Sequence, residues 1–166
     1  MFKAACIQLR STEDIRENWN KVHQLIEEAA EQGARLVVTP ENTLYLGSQF
    51  HKVELAQSLD GEWVQAFSKL AAKHQIYLVV GSIAEKIEDA SDRCYNTSLF
   101  FAPDGKLVQF YRKIHLFDVD IPDGLSIRES DSIQAGSELV VVETELGNIG
   151  LSICYDLRFP EMYRRL

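Results

Sequence analysis

Apolar positions along the chain change rhythm repeatedly, and each rhythm predicts an element. Phe2, Ala4, Ala5, Cys6, Ile7 and Leu9 crowd into one short run, which predicts a first strand over residues 2–9. Ile15, Trp19, Val22, Ile26 and Ala29 or Ala30 then recur at helical spacing. Ser11-Thr12-Glu13-Asp14 offers a capping signature ahead of that helix, and Gly33 ends it. Residues 34–39, led in by Gly33 and stopped by Pro40, read as a buried strand. A second helix is expected over 62–74, with Trp63, Phe67, Leu70 and Ala71 on its buried side, and a third strand over 76–83. Residues 97–102 and 106–111 flank Pro103-Asp104-Gly105 as a hairpin, and residues 139–143 and 149–153 flank Leu146-Gly147-Asn148 as another. Between the hairpins, residues 115–137 show no period. Alternating strands and helices without an internal repeat or linker predict one α/β domain over residues 1–166.

Composition narrows the class. The 166 residues are 46% hydrophobic, enough for one core. No run approaches the ~18 consecutive apolar residues of a membrane helix, and the apolar N-terminus is too short for a signal peptide. A net charge of −8 argues against nucleic acid and anionic membrane as partners. The three cysteines, Cys6, Cys94 and Cys154, have no CxxC or Cys/His ligand spacing. That pattern suits a reducing cytoplasm, with no disulfide framework and no metal site. Cys6 is expected in the core, and Cys94 beside a polar turn has no assigned role.

Three residues carry candidate chemistry. Cys154 ends the apolar run Ile149-Gly150-Leu151-Ser152-Ile153, and Tyr155-Asp156-Leu157-Arg158-Phe159-Pro160-Glu161 follows as the start of a helix. A cysteine on a sharp strand-to-helix turn presents its side chain beside free N–H groups, which favour a thiolate and can receive an oxyanion. Taken alone, a cysteine ending a core strand is more often inert filler. Glu41 follows Thr39-Pro40 at a strand end, where ligands bind in open α/β sheets, and a plain turn carboxylate fits the same position. Lys113 ends an alternating strand, where an edge-protecting lysine is also common.

Together the three carry a resemblance. Glu41 after Thr39-Pro40, Lys113 in Tyr-Arg-Lys-Ile-His-Leu-Phe-Asp and Cys154 in Ile-Cys-Tyr-Asp-Leu-Arg-Phe-Pro-Glu resemble the Glu-Lys-Cys triad of the nitrilase superfamily of carbon–nitrogen hydrolases. The likeness runs from Lys3 to Leu166. The stretch from Tyr111 to Glu129 looks most like the Nit branch, which includes deaminated glutathione amidases and omega-amidases. The resemblance implies an α-β-β-α sandwich, with this chain as its N-terminal portion. It also implies a cysteine thioester route to acid and ammonia from a small carboxylate-bearing amide, with no cofactor or metal. Glu41 would be the base, while Lys113 and the Tyr155 backbone N–H would stabilise the tetrahedral intermediates. Glu129 would be a supporting second glutamate. Arg158, Arg128 and Arg112 are candidates for a substrate carboxylate, and Arg158 is equally a candidate turn or interface anchor.

Around these, residues 115–137 are expected to form one pocket wall, with Asp118, Asp120, Asp123, Arg128 and Glu129 beside apolar Phe117, Val119, Ile121 and Leu125. His115 ranks below Glu41 as base, because the resemblance assigns that role to the glutamate. Tyr45, Phe117 and Tyr155 are candidates for the pocket lining or the core. The resemblance further implies a homodimer or higher homo-oligomer. The alternatives are nitrilase, carbamoylase or N-acyl transfer chemistry, or a non-catalytic interaction protein that uses Phe159, Met162 and Tyr163.

Overall fold

The computed structural model describes residues 1–122, 124 and 126–166, so Asp123 and Leu125 of the expected pocket wall lie outside the described residues. The elements in chain order are β1 (Lys3–Cys6), α1 (Ile15–Glu31), β2 (Ala34–Val38), α2 (Gln49–Glu54), α3 (Glu62–His74), β3 (Tyr77–Lys86), β4 (Cys94–Phe101) and β5 (Leu107–Arg112). After these come β6 (Asp118–Asp120), β7 (Ser126–Arg128), β8 (Ile133–Gln134), β9 (Val141–Thr144), β10 (Gly147–Gly150) and α4 (Pro160–Arg165). The chain is mixed α/β. One sheet runs β1-β2-β3-β4-β5, and β8 also pairs with β4. The first two pairings are parallel, with α1 and α3 as crossovers, and the next two are antiparallel.

Strand alternation divides the core between the two sheet faces. Val37, Leu78, Val80, Leu99 and Phe101 meet Val22 and Ile26 of α1 and Phe67, Leu70 and Ala71 of α3. Their neighbours Val79 and Phe100 face the other way, onto Val142, Leu151, Ile153 and Met162. The antiparallel β9–β10 hairpin and α4 therefore begin a second layer over the face opposite the helices.

Several boundaries differ from the expectations. Helix α1 is capped by Asp14, whose side chain accepts the Glu17 N–H at 2.9 Å; Ser11 instead donates to the Thr43 carbonyl. Gly33, at φ +83°, turns the chain from α1 into β2 in a conformation that suits glycine. Strand β1 covers only Lys3–Cys6 at the sheet edge, and Cys6 is exposed there rather than in the core. Helix α2 has no apolar period and was not expected. The segment 115–137 is not structureless: it holds the β6–β7 hairpin, a 3-10 turn at Glu129–Asp131 and β8. These pieces are too short and too exposed to show a period. Strand β10 stops at Gly150, although Leu151 and Ile153 stay buried. Among the described residues no helix is long and apolar enough to cross a membrane, and no group of three His, Cys, Asp or Glu is placed to hold a metal ion.

Candidate active site

Glu41 lies just past the end of β2. The Thr39 N–H still reaches the Val79 carbonyl at 2.9 Å, and Pro40 then stops the ladder. Strand β3 comes so close here that a Cβ on Gly81 would sit 2.2 Å from the Thr39 oxygen. Only glycine admits that approach. The Asn42 N–H donates to Ser82 Oγ at 2.9 Å, and the Thr43 hydroxyl donates to the Pro40 carbonyl at 2.6 Å. The turn that carries Glu41 is thereby tied to β3.

Lys113 leaves β5 with its backbone held on both sides. Its N–H donates to the Asn96 carbonyl and its own carbonyl accepts from Gly136, each at 2.9 Å. The side chain is 2% exposed. Its Nζ donates to Glu41 Oε1 at 2.9 Å and to Glu129 Oε2 at 2.9 Å. Glu129 sits on the 3-10 turn after β7, where its carboxylate also accepts the Phe117 N–H at 2.7 Å. Asn96 of β4 completes the group, donating to Glu41 Oε1 at 2.8 Å and to Glu129 Oε1 at 3.2 Å. One ammonium and one amide thus bridge two carboxylates. Asn96 was not singled out in the sequence, because an asparagine in a strand has no periodic or spacing signal.

Cys154 opens a 3-10 turn, Cys154–Arg158, at φ +46°, a left-handed conformation costly for any residue but glycine. The turn is held by Asp156, which is 0% exposed. Its carboxylate accepts the Ile153 N–H at 2.9 Å, the Tyr111 hydroxyl at 2.7 Å and the His115 N–H at 3.1 Å. Asp156 therefore joins the strand exit that carries Lys113 to the turn that carries Cys154. No hydrogen bond from the Tyr155 N–H forms among the described residues.

The electrostatics run against one expectation. Burial raises the Cys154 thiol, and the nearby Glu41 carboxylate adds to this, outweighing Lys113 and holding the pKa above its ordinary value. The resting group is thus a thiol, not the thiolate that the turn alone would favour. Burial also works to raise Glu41, but the Lys113 charge and the hydrogen bonds from Lys113 and Asn96 win and hold it below the usual carboxylate range. For Lys113, burial works downward and the two glutamates more than reverse it.

A depressed Glu41 pKa gives stability that is present above the ordinary glutamate value and lost as pH falls through the folded one. Glu41→Gln removes the charge that lifts the thiol. Alkylation of Cys154 by iodoacetamide at pH 8 is therefore expected to accelerate in E41Q, because more thiolate is present. Slower alkylation in that variant would show that Glu41 does not raise the thiol.

The other candidates separate clearly. Arg112 is bound in a fork by Glu85, Nε to Oε2 at 2.8 Å and Nη2 to Oε1 at 2.5 Å, so it is not available to a substrate carboxylate. Arg128 pairs with Asp120 across the β6–β7 hairpin. Arg158 is exposed and forms no side-chain ion pair among the described residues. His115 is turned to Asp156, with Nδ1 2.7 Å from Oδ1, and its ring stacks on Phe159 at 3.7 Å. Phe117 and Phe159 meet the Tyr155 ring edge-on. Tyr45 is a core residue.

A family model described as carbon-nitrogen hydrolase matches residues 3–166. The chain is 37% identical over 167 residues to a deaminated glutathione amidase of Synechocystis sp., covering 99% of this chain and 61% of that protein. It is 43% identical over 163 residues to the omega-amidase NIT2 of Danio rerio, covering 97% and 57%. Among solved structures, the C. elegans NitFhit protein superposes with a TM-score of 0.87 at 35% identity, covering 96% of this chain and 39% of that one. The chain thus spans less than two thirds of the length of these relatives.

Proposed function

We propose, because the chain belongs to the carbon-nitrogen hydrolase family, that the complete protein hydrolyses a small carboxylate-bearing amide to its acid and ammonia. The observation that carries this reading is the Lys113 ammonium bridging Glu41 and Glu129 beside the Cys154 thiol. Glu41, ionised at rest, takes the thiol proton as sulfur attacks the amide carbon. The carbonyl π bond opens to an oxyanion, which Lys113 and the Tyr155 N–H stabilise. As the C–N bond breaks, Glu41 returns the proton to nitrogen and ammonia leaves. A thioester remains on Cys154. Glu41 then deprotonates a water that attacks the thioester carbon, and the C–S bond breaks to restore the thiol. Glu129 orients Lys113, and exposed Arg158 is available to a substrate carboxylate.

Relatives named deaminated glutathione amidase and omega-amidase support an amide whose far end bears a carboxylate. The test is ammonia release by the complete protein from deaminated glutathione and from the ω-amide of a dicarboxylic 2-oxo acid. Turnover of at least one, with an acyl mass on the Cys154 peptide in quenched reactions, is the expected result. Turnover of nitriles or carbamoyl compounds with neither amide consumed would move the protein to another branch of the superfamily.

A further inference from the structure

A second lysine lies buried behind the site. Lys52 of α2 is 7% exposed, and its Nζ donates to Asn42 Oδ1 at 2.6 Å. Asn42 follows Glu41 directly and stands at φ +56°, a left-handed conformation that asparagine adopts more readily than other non-glycine residues. Several bonds secure the turn. Three are neutral, from the Asn42 N–H to Ser82 Oγ, from the Thr43 N–H to the Ser82 carbonyl and from the Thr43 hydroxyl to the Pro40 carbonyl. The bond from Lys52 adds an ionisable group on the Asn42 side chain.

We infer that Lys52 is a positioning residue for the Glu41 base: through Asn42 it holds the left-handed turn that aims the Glu41 carboxylate, and it supplies the buried site with its second cation. This rests on the amidase reading above. Glu41, Glu129 and Lys113 together leave one excess negative charge in a largely buried cluster, which is expensive away from water. Lys52 brings that sum to zero. The charged and titratable groups that act on it come from four elements or turns: Glu41, the Cys94 thiol of β4, Glu129 and Lys113. Burial lowers its pKa, and both glutamates oppose that fall. A lysine kept this deep without an acidic hydrogen-bond partner of its own is uncommon unless nearby carboxylates compensate it.

The test follows the Glu41 carboxyl by carbon-13 NMR in glutamate-labelled complete protein, with Glu41→Gln for assignment, and follows ammonia release in parallel. Lys52→Met is expected to raise the Glu41 midpoint by about half a pH unit or more, since a cation has been removed. It is also expected to lower kcat about tenfold while leaving KM within about twofold, as misaimed catalytic groups do. Lys52→Gln keeps a donor for Asn42 without the charge, so it should show the same midpoint shift with a smaller loss of kcat. Lys52→Arg should return the midpoint to the wild-type value. A midpoint unchanged in both K52M and K52Q would overturn the inference. If K52M does not fold, K52Q against K52R decides by the same midpoint. If the wild-type protein releases no ammonia from any amide, the functional reading falls by itself, and the Glu41 midpoint still decides the role of Lys52.

Discussion

Cys154→Ala is expected to abolish ammonia release while the protein stays folded. On the proposed mechanism the thiol forms the acyl bond, because Glu41 and Lys113 are committed to each other and to Glu129 and Asn96. Deleting the nucleophile of a triad hydrolase typically costs on the order of 10⁶ in kcat, so a loss of at least about a thousandfold is a conservative expectation. Stability should change little, within about 0.5 kcal/mol, because Asp156 holds the turn without the Cys154 sulfur. Alanine at φ +46° carries much the same backbone strain as cysteine does. A coupled ammonia assay, intact mass for the acyl species and a thermal melt are sufficient measurements. Ammonia release by C154A at the wild-type rate would remove Cys154 from the mechanism.

Lys113→Met is the second large effect, and it strikes activity and stability together. The ammonium is almost wholly buried and is shared between two carboxylates. Removing it leaves Glu41 and Glu129 facing each other with only the Asn96 amide between them. Breaking a buried ion pair from one side costs about 3–5 kcal/mol, and loss of an oxyanion donor typically costs about 10²–10³ in kcat. Glu41 also loses the cation that holds its pKa down. It should then titrate closer to neutrality, so the acid limb of any residual rate moves to higher pH. The double variant K113M/E129Q separates the two effects: one buried negative charge is gone, so much of the stability should return while activity does not. A K113M protein with wild-type melting temperature and kcat would show that the bridge serves neither role.

Part of this was legible in the sequence. The stripe Ile15, Trp19, Val22, Ile26 and the run over residues 34–39 located α1 and β2, because a buried face repeats at the period of its element. The three candidate residues stood out together by type and flanking motif. Elements without such a face were missed: α2, with one buried residue, and the β6–β7 hairpin, whose residues are mostly exposed. Cys6 was misplaced because alternation does not reveal that a strand lies at an uncovered sheet edge.

By itself, then, the sequence determined the family, the strongly periodic elements and the identities of Glu41, Lys113 and Cys154. Tertiary structure decided what those groups are to one another. Glu41 and Lys113 meet across 72 residues of chain because of where their strands end in one sheet. Asn96, Asp156 and Lys52 enter only through that arrangement. So does the protonation state of the thiol, since a lone turn favours thiolate while burial and the nearby Glu41 carboxylate oppose it. The physical reason is that burial leaves a local, periodic trace along the chain. Charge coupling depends on distances across it, and those exist only once the strands are in register.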